Sequence, residues 1–289
     1  MKVTNKYGLP QSLVNAVDVE PHSKEGQISA TELLRGLKQN ILTRRHWEEL
    51  EVDVSERIWA LEGTAVHKIL EDKNPNMFTE EKFECNVNDK IVVGHLDLYD
   101  MDNSKIVDYK NTSVWKIKFK DFSDWKRQGL IYAWLLKHEG LEVKKCQFIA
   151  MLRDWSCGEA ERNPDYPRSQ VYVYEFDVTD ADLKDIEKFV YEKVDSLVKN
   201  EKLSDDEIEP CTPEERWQTD TKWKVKKPTR KTALKCFDNE KDAMTYRDEI
   251  GGDSYVEFVP GKSKRCTDYC LCNKFCNFYK EHCLKGEQE

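Results

Sequence analysis

The spacing of apolar residues alternates along the chain between a helical and a strand-like period. Apolar side chains three to four positions apart predict helices, and apolar–polar alternation between turn-rich segments predicts strands. The predicted elements are, in order, helices at 29–45 and 55–72, strands at 82–86, 91–99 and 105–109, a helix at 121–138, strands at 146–152 and 171–176, and a helix at 180–199. This order indicates an α/β fold in which helices flank one central mixed β-sheet.

The ends of this pattern suggest three segments. Ser29 and Glu32 have the spacing of a capping box, which marks the start of the first helix. Residues 1–27 are punctuated by prolines and glycines, and we expect a loosely ordered lead-in before a core at 28–200. From residue 201 an acidic, proline-marked stretch leads into a further helix at 239–250, a strand at 255–259 and a cysteine-rich tail. We interpret residues 201–289 as a C-terminal appendage.

Composition narrows the class of protein. Hydrophobic residues make up 39% and charged residues 35%, which is typical of a globular protein with a polar surface. No apolar run approaches the roughly 18 residues that span a bilayer. The first residues also lack the apolar core and cleavage site of a signal peptide. We therefore expect a soluble cytoplasmic protein that does not contact membranes.

Charge is unevenly distributed. The net charge of −9 argues against general affinity for nucleic acid, but segments 222–235 and 116–127 concentrate basic residues. Trp115, Phe119 and Trp125 alternate with lysines around the second segment and Trp223 lies among lysines in the first, a pattern that suits single-stranded nucleic acid because bases stack on aromatic rings. We expect the two segments to form the walls of a DNA channel; alternatively, the tryptophans are core residues and the lysines only solvate the surface. The channel residues are Trp115, Lys116, Lys118, Lys224 and Lys226.

Four residues between positions 67 and 110 carry the chemistry that phosphodiester hydrolysis needs. Asp97 and Asp108 lie on neighbouring predicted strands, and carboxylates are ligands of hard ions such as Mg²⁺ and Mn²⁺. Asp108 and Lys110 are two apart on a strand, so their side chains share a face. The ammonium group can then orient an attacking water and stabilise developing charge. His67 adds an imidazole ligand, which favours Mn²⁺.

The order of these motifs resembles the RecB-like branch of the PD-(D/E)XK nucleases, which includes CRISPR-associated RecB-like exonucleases and many phage exonucleases. The motifs are Gly63–His67, Gly94–Asp97, Val107–Lys110 and Gln128–Tyr132. The resemblance covers roughly residues 28–152. It implies a restriction-endonuclease-like core in which His67, Asp97 and Asp108 bind the metal and Lys110 assists the nucleophilic water. It also implies DNA contacts from Gln128 and Tyr132, which are one helical turn apart.

The function that the resemblance implies is a divalent-metal-dependent DNA exonuclease. It would act on single strands or free ends, in recombination, repair or replication in a bacterial or phage-infected cell. One alternative is a structure-specific endonuclease with the same site; no base-reading module is evident, which favours the exonuclease. A second alternative is a catalytically silent DNA-binding protein that is stabilised by a zinc or iron–sulfur site. The presence of all four candidate active-site residues, His67, Asp97, Asp108 and Lys110, argues against this silent protein.

The cysteines form a second candidate metal site. Five of the ten lie in the last 24 residues, and clustered thiols in a reducing compartment favour zinc or an iron–sulfur cluster. Some nucleases of the resembled branch hold a [4Fe–4S] cluster with one upstream and three C-terminal cysteines. The tail is similar, and the three preferred ligands are Cys266, Cys270 and Cys276, with Cys283 named as the fourth.

This tail also departs from the family. No cysteine occurs at residues 34–38, where the upstream ligand would lie, so the fourth ligand is left to Cys283, Cys272 or Cys236. Zinc and unligated thiols remain alternatives. The other four cysteines are interpreted as ordinary buried or surface residues: Cys85, Cys146, Cys157 and Cys211.

Overall fold

The computed structural model describes residues 1–17, 20–21, 23–71 and 78–284. The strands are β1 (Lys2–Thr4), β2 (Gln27–Ser29), β3 (Glu51–Asp53), β4 (Phe78–Val87), β5 (Lys90–Asp100), β6 (Lys105–Thr112), β7 (Lys145–Leu152), β8 (Val171–Asp177), β9 (Lys222–Lys226), β10 (Lys235–Phe237) and β11 (Tyr255–Val259). The α-helices are α1 (Gln11–Ala16), α2 (Ala30–Leu33), α3 (Leu37–Arg45), α4 (Ile58–Glu71), α5 (Val114–Phe119), α6 (Ser123–His138), α7 (Cys157–Arg162), α8 (Asp180–Asn200), α9 (Glu240–Ile250), α10 (Lys264–Asp268) and α11 (Asn277–His282). Short 3-10 helices lie at Trp47–Glu49, Val54–Arg57 and Asn273–Phe275.

The chain divides into two compact units, residues 1–203 and 204–289. The first is built on a six-stranded mixed sheet in the order β2-β5-β6-β7-β8, with β4 also paired to β5. β2 runs parallel to β5 and β6 parallel to β7, whereas the remaining pairs are antiparallel. The predicted α/β class, with helices flanking a central mixed sheet, is confirmed. The assignment of functions to the three predicted segments stays a prediction.

One edge of β5 is divided between two strands. β2 pairs with residues 91–93 and β6 with residues 98–100. Within the described ranges, residues 94–97 between them have no strand partner on that edge. β6 pairs with β7 along its whole length but with β5 only over residues 105–107. Residues 108–112 therefore have no strand partner on the side of β5 within the described ranges. The sheet therefore opens at the point where the predicted acidic residues lie.

Helix α6 packs closely over this opening. A Cβ atom added to Gly94 would lie 2.6 Å from Leu135 Cδ1 and 3.0 Å from Tyr132 Cδ1. Both α6 side chains are buried, so a larger residue at position 94 would push the helix away from β5. α8 packs on α6 through a buried apolar stripe, which lies where the helical period predicted it. The stripe consists of Ile186, Val190, Val194 and Leu197.

The N-terminal region is more ordered than the sequence suggested. β1 pairs in parallel with β3, α1 follows it, and β2 joins the central sheet. The expected loose lead-in was therefore wrong for these elements. Their partners lie far away in sequence, so no local period marks them.

The first predicted helix, 29–45, is two helices. Its start is correct, because Ser29 Oγ accepts from the Glu32 backbone N–H and the Glu32 carboxylate accepts from the Ser29 N–H. The helix ends at Leu33, and α3 begins after Gly36, whose extended backbone forms the N-cap. The predicted helix at 55–72 begins as a 3-10 turn and continues as α4; Asp72 lies outside the described residues. The apolar spacing did not reveal α5 and α7, which have only six residues each.

The second unit contains a three-stranded antiparallel sheet in the order β10-β9-β11. α9 packs on one face of this sheet, where Val225 and Ala243 are fully buried. Three short helices then carry the cysteine-rich tail. Among the described helices of either unit, none is both long and apolar enough to cross a bilayer.

Candidate metal-dependent active site

Asp97 and Asp108 come from the two strands that separate at the opening of the sheet. Leu98 pairs with Val107, so extending the register by one residue places Asp97 opposite Asp108 on the same face. Backbone pairing between β5 and β6 has ended at this point, and a side chain takes its place: Asp97 Oδ2 accepts a hydrogen bond from the Tyr109 backbone N–H at 2.7 Å. Asp97 thus fixes the direction in which β6 leaves its neighbour.

His67 reaches this position from α4, which lies along the open edge of β6. Its Nε2 is 3.1 Å from the carbonyl oxygen of Tyr109, and its Nδ1 is 3.1 Å from Asp97 Oδ1. A carbonyl oxygen can only accept, so Nε2 carries the proton. Nδ1 faces the carboxylate of Asp97. In the charged imidazolium Nδ1 carries a proton, whereas in the neutral ring it has a lone pair that can bind a metal ion.

Asp108 is a buried acid with an unusual environment. Its side chain is 3% exposed, and Lys110 Nζ lies 2.7 Å from its Oδ2. The two atoms are not aligned as a hydrogen bond, and Oδ2 has no hydrogen-bond partner among the described residues. Burial raises the pKa of Asp108 to about 6; Lys110 opposes this shift, Asp97 adds to it and His67 opposes it. Asp108 therefore interacts electrostatically with Lys110, Asp97 and His67.

The donor atoms suit a hard or borderline divalent ion. Adjacent ligands of an octahedral ion with bonds of about 2.1 Å lie about 3 Å apart, which matches the 3.1 Å between His67 Nδ1 and Asp97 Oδ1. Asp108 Oδ2, which makes an ion pair with Lys110 but no hydrogen bond among the described residues, is a third donor atom on the same face. In the described ranges, however, no three His, Cys, Asp or Glu side chains are gathered closely enough to form a finished metal site. The set of ligands stays a prediction.

Gln128 and Tyr132 occupy the face of α6 that turns towards β5. Gln128 Nε2 donates to the Tyr132 hydroxyl oxygen at 2.8 Å, as expected for residues one turn apart. Tyr132 is 6% exposed and packs on Gly94, so its ring is part of the core and only its hydroxyl is tied to Gln128. Their predicted contact with DNA stays a prediction.

The aromatic residues that follow β6 fall into two groups. Trp125 is buried and stacks on Phe148 with ring centroids 5.6 Å apart, so for this residue the core interpretation was right. Trp115 is 54% exposed and stacks with Phe119, and Lys118 Nζ lies 4.5 Å from the Trp115 ring. The predicted contact of Trp115 with DNA stays a prediction.

The lysines of the same segment differ in their partners. Lys116 is bound to Asp124 at 2.6 Å, so its charge is already compensated. Lys126 is likewise paired, with Asp182 at 3.1 Å. Within the described residues, Lys118 has no ion pair, and its ammonium lies over the Trp115 ring. Lys118 is therefore the better placed of these lysines to contact a phosphate.

The sequence analysis missed Trp59 and Arg153. Trp59 lies on α4 and is 54% exposed, and the Arg153 guanidinium stacks over its ring at 4.5 Å. Arg153 immediately follows β7, the strand that runs beside β6. The signal that could have identified Trp59 is its place on the same predicted helix as His67.

The basic residues of the second unit lie on one face of its sheet. Strand alternation places Lys222, Lys224 and Lys226 opposite the face that packs on α9. Lys226 pairs with Glu257 at 2.8 Å, and Lys222 pairs with Asp238. Lys224 has no ion pair among the described residues, which leaves it as the more available of the two predicted DNA contacts in this unit.

The cysteine-rich tail is bound to the segment that contains Cys211. The backbone N–H of Arg265 donates to Arg216 O at 3.0 Å, and the Arg216 guanidinium lies 4.1 Å from the centre of the Phe278 ring. Gln218 forms an isolated β-bridge with Ser263. These contacts hold residues 211–218 against residues 263–278.

The thiols themselves are close enough to influence one another. Burial is the main cause that raises the pKa of Cys266 to about 12, and four neighbouring thiols contribute to the same shift, those of Cys283, Cys270, Cys211 and Cys276. Cys270 and Cys272 also lie with their Sγ atoms 3.5 Å apart. Cys211, which looked ordinary in the sequence, therefore lies near Cys266, one of the predicted ligands.

Comparisons with known proteins identify distant structural relatives. No family model matches the chain, and no curated protein matches it in sequence. The solved structure of SSO0001 has a TM-score of 0.44 and 20% identity, covering 64% of this chain and 82% of that one. An alkaline exonuclease from Laribacter hongkongensis has a TM-score of 0.40 and 11% identity, covering 67% and 95%. A phage-related exonuclease from Haemophilus somnus has a TM-score of 0.31 and 15% identity, covering 65% and 93%. These likenesses are distant, and the functional argument rests on this chain's own residues.

Proposed function

We propose that the protein is a divalent-metal-dependent nuclease that hydrolyses phosphodiester bonds in DNA. The observation that carries this proposal is the meeting of His67 Nδ1 and Asp97 Oδ1 at 3.1 Å beside a buried carboxylate paired with an ammonium. Burying Asp108 in this way is unfavourable for folding, since it raises the pKa of the group. A catalytic role explains why such a group stands at the opening of the sheet.

The proposed chemistry assigns a role to each side chain. His67, Asp97 and Asp108 would hold Mg²⁺ or Mn²⁺, which when bound polarises a phosphate oxygen and lowers the pKa of a water. Lys110 stands beside Asp108 and is partly exposed, so it can hold the attacking water and stabilise charge that develops on the phosphate. The Tyr109 N–H keeps Asp97 oriented throughout. Gln128 would contact the DNA strand close to Lys110.

The proposed substrate is DNA that is single-stranded or has free ends. Support comes from the exposed Trp115–Phe119 pair with Lys118, because such aromatic platforms bind bases without reading their sequence. A role in recombination, repair or replication follows from the resemblance of the motifs. An endonuclease with the same site, or a DNA-binding protein without activity, is the competing proposal.

One experiment separates these proposals. End-labelled linear DNA and a covalently closed circle would be incubated with the purified protein and either Mg²⁺ or Mn²⁺. An exonuclease releases nucleotides from the linear DNA and leaves the circle intact, whereas an endonuclease opens the circle. A protein that binds both substrates but cleaves neither would overturn the nuclease proposal.

For the tail, we infer that Cys211 joins Cys266, Cys270, Cys276 and Cys283 as a source of metal ligands. Four cysteine thiolates are the usual ligand set of a structural zinc ion and of a [4Fe–4S] cluster, so these five cysteines could supply either group. Such a site would stabilise the second unit by tying residues 211–218 to the tail.

The composition of this site can be measured without an activity assay. Anaerobic purification, a visible spectrum and analysis for iron, sulfide and zinc would identify the group. We expect Cys211→Ser to lower the bound metal and bleach the spectrum, and Cys157→Ser, an exposed cysteine of the first unit, to change neither. Metal content that is equal in the two variants would exclude Cys211 as a ligand.

A further inference from the structure

Helix α4 is apolar in sequence but poorly buried. From Ile58 to Leu70, each of its residues is at least partly exposed, and Ile69 is 61% exposed. Trp59 exposes 54% of its surface, although burial of an indole is normally strongly favourable. A large exposed aromatic next to a candidate active site indicates a surface that a ligand covers.

The exposed Trp59 ring has a basic neighbour, because the side chain of Arg153 packs against it. The guanidinium lies 4.5 Å from the centre of the indole ring. The Arg153 backbone N–H donates to Thr112 O at 3.0 Å, which fixes the residue at the end of β6. A guanidinium stacked on a ring keeps its N–H groups in its own plane, where they can reach a phosphate.

The contacts of α4 show how this pair is aligned with the catalytic residues. His67 contacts Tyr109, and Glu62 accepts from Asn111 at 3.5 Å. Trp59 meets Arg153, which is bonded to Thr112. From His67 towards the start of α4, the contacts with β6 therefore move from Tyr109 towards Thr112, the C-terminal end of the strand. Trp59 and His67 are eight residues apart, about 12 Å along the helix axis, which corresponds to three or four stacked nucleotides of a strand.

We propose that Trp59 and Arg153 form a stacking site that holds the substrate strand about three nucleotides from the bond to be hydrolysed. The indole receives a base and the guanidinium contacts the adjoining phosphate. This inference rests on the proposed nuclease function, since it specifies how that same site positions its substrate. It makes Trp59 and Arg153 positioning residues, which act on the length and structure of the DNA accepted and leave the chemistry to the carboxylates and Lys110.

Binding can be tested apart from hydrolysis. Affinity for a fluorescent ten-nucleotide single strand would be measured in chelator. Loss of one base stack corresponds to a roughly tenfold to hundredfold weaker affinity, which we expect for Trp59→Ala. Trp59→Phe should keep most of the affinity, and Tyr7→Ala, which removes another exposed aromatic of the first unit, should keep all of it. Arg153→Ala should also lower the salt dependence of binding by about 0.7 on a log–log scale.

Hydrolysis then locates the site along the strand. In the wild-type protein, kcat/KM should rise once the substrate extends three or four nucleotides from the scissile bond. Trp59→Ala should lose this rise through KM while turning over shorter substrates normally. A wild-type protein that hydrolyses no DNA overturns the proposed nuclease function. In that case the binding assay still shows whether Trp59 and Arg153 bind a single strand. An active wild type whose affinity and length dependence are unchanged by Trp59→Ala and Arg153→Ala overturns the present inference alone.

Discussion

The backbone N–H of Tyr109 donates to Asp97 Oδ2 at the point where β6 has left the ladder of β5. One carboxylate thus replaces a strand–strand hydrogen bond with one oxygen and faces His67 with the other. Because the same residue shapes the sheet and lines the site, the geometry of the candidate metal ligands is built into the fold.

The first prediction concerns the catalytic pair. Lys110→Ala should lower kcat by about a hundredfold to a thousandfold, because it removes one group that stabilises developing charge. Asp108→Ala should lose activity at least as strongly, with the far-UV circular dichroism spectrum unchanged in both variants. Lys137→Ala removes an exposed lysine at the other end of α6 and should retain full activity. Wild-type turnover in the Lys110 or Asp108 variant would refute the site.

A second prediction is that Asp108→Asn stabilises the protein while inactivating it. Burial raises the pKa of Asp108 from 3.8 to about 6, so ionisation of this group costs folding free energy as pH rises between these values. In chelator at pH 8, the uncharged amide should raise the free energy of unfolding by about 1–3 kcal/mol. Urea titrations at several pH values would show the gain above pH 6 and its loss near pH 4. Asp165→Asn, at an exposed site, should show no such pH-dependent gain.

The third prediction concerns the buried ion pair of Glu32 and Arg44, whose atoms lie 2.8 Å apart. Burial acts to raise the pKa of Glu32, but Arg44 and hydrogen bonds from Ser23 and Ser29 outweigh it and lower the pKa below 4.5. The stability that the carboxylate contributes is therefore complete above pH 4.5 and is lost as pH falls through the lower folded value. Glu32→Gln should cost roughly 1–3 kcal/mol at pH 7.

The same urea titrations at lower pH provide the check on that ion pair. The difference between wild type and Glu32→Gln should shrink as the solution is acidified below the ordinary pKa of a glutamate. A difference that stays constant down to pH 2 would mean that the charge of Glu32 does not stabilise the fold.

The fourth prediction uses two glycines as a matched pair. Gly94→Ala places a Cβ 2.6 Å from a buried leucine of α6 and should destabilise the protein by about 1–3 kcal/mol. Gly63→Ala lies in α4 with nothing within 4 Å of the new Cβ, and it should stabilise the helix by about 0.5–1 kcal/mol. Thermal unfolding of the two variants should therefore shift in opposite directions. Equal shifts would contradict the close approach of α6 to β5.

The sequence predicted those elements that have a clear local period. The meander β4–β6, the helix α6 and the apolar stripe of α8 were all identified in this way, and their order led to the fold class. β1 and β2 were missed because each has three residues and is stabilised by a partner strand far along the chain. Gly36 was overlooked as a break because the capping signal at Ser29 suggested one continuous helix.

The candidate site shows the same division. The motifs placed Asp97, Asp108, Lys110 and His67 on the right elements, but spacing alone could not separate buried from exposed aromatics. Trp115 and Trp125 look equivalent in sequence, whereas one is a surface platform and the other is core. Cys211 joins the tail only through contacts between segments that are about fifty residues apart, which no short motif can reveal.

The pairing of Leu98 with Val107 has a consequence for how this protein can change in evolution. Side chains alternate along a strand, so an added residue that slipped β6 by one position would turn Asp108 and Lys110 to the opposite side of the sheet. The bend at residues 101–104 can therefore vary in sequence, or lengthen by bulging outwards, as long as the two strands keep their alignment. A lineage that loses this alignment would keep every residue of the motif, yet the two acids would no longer face one another.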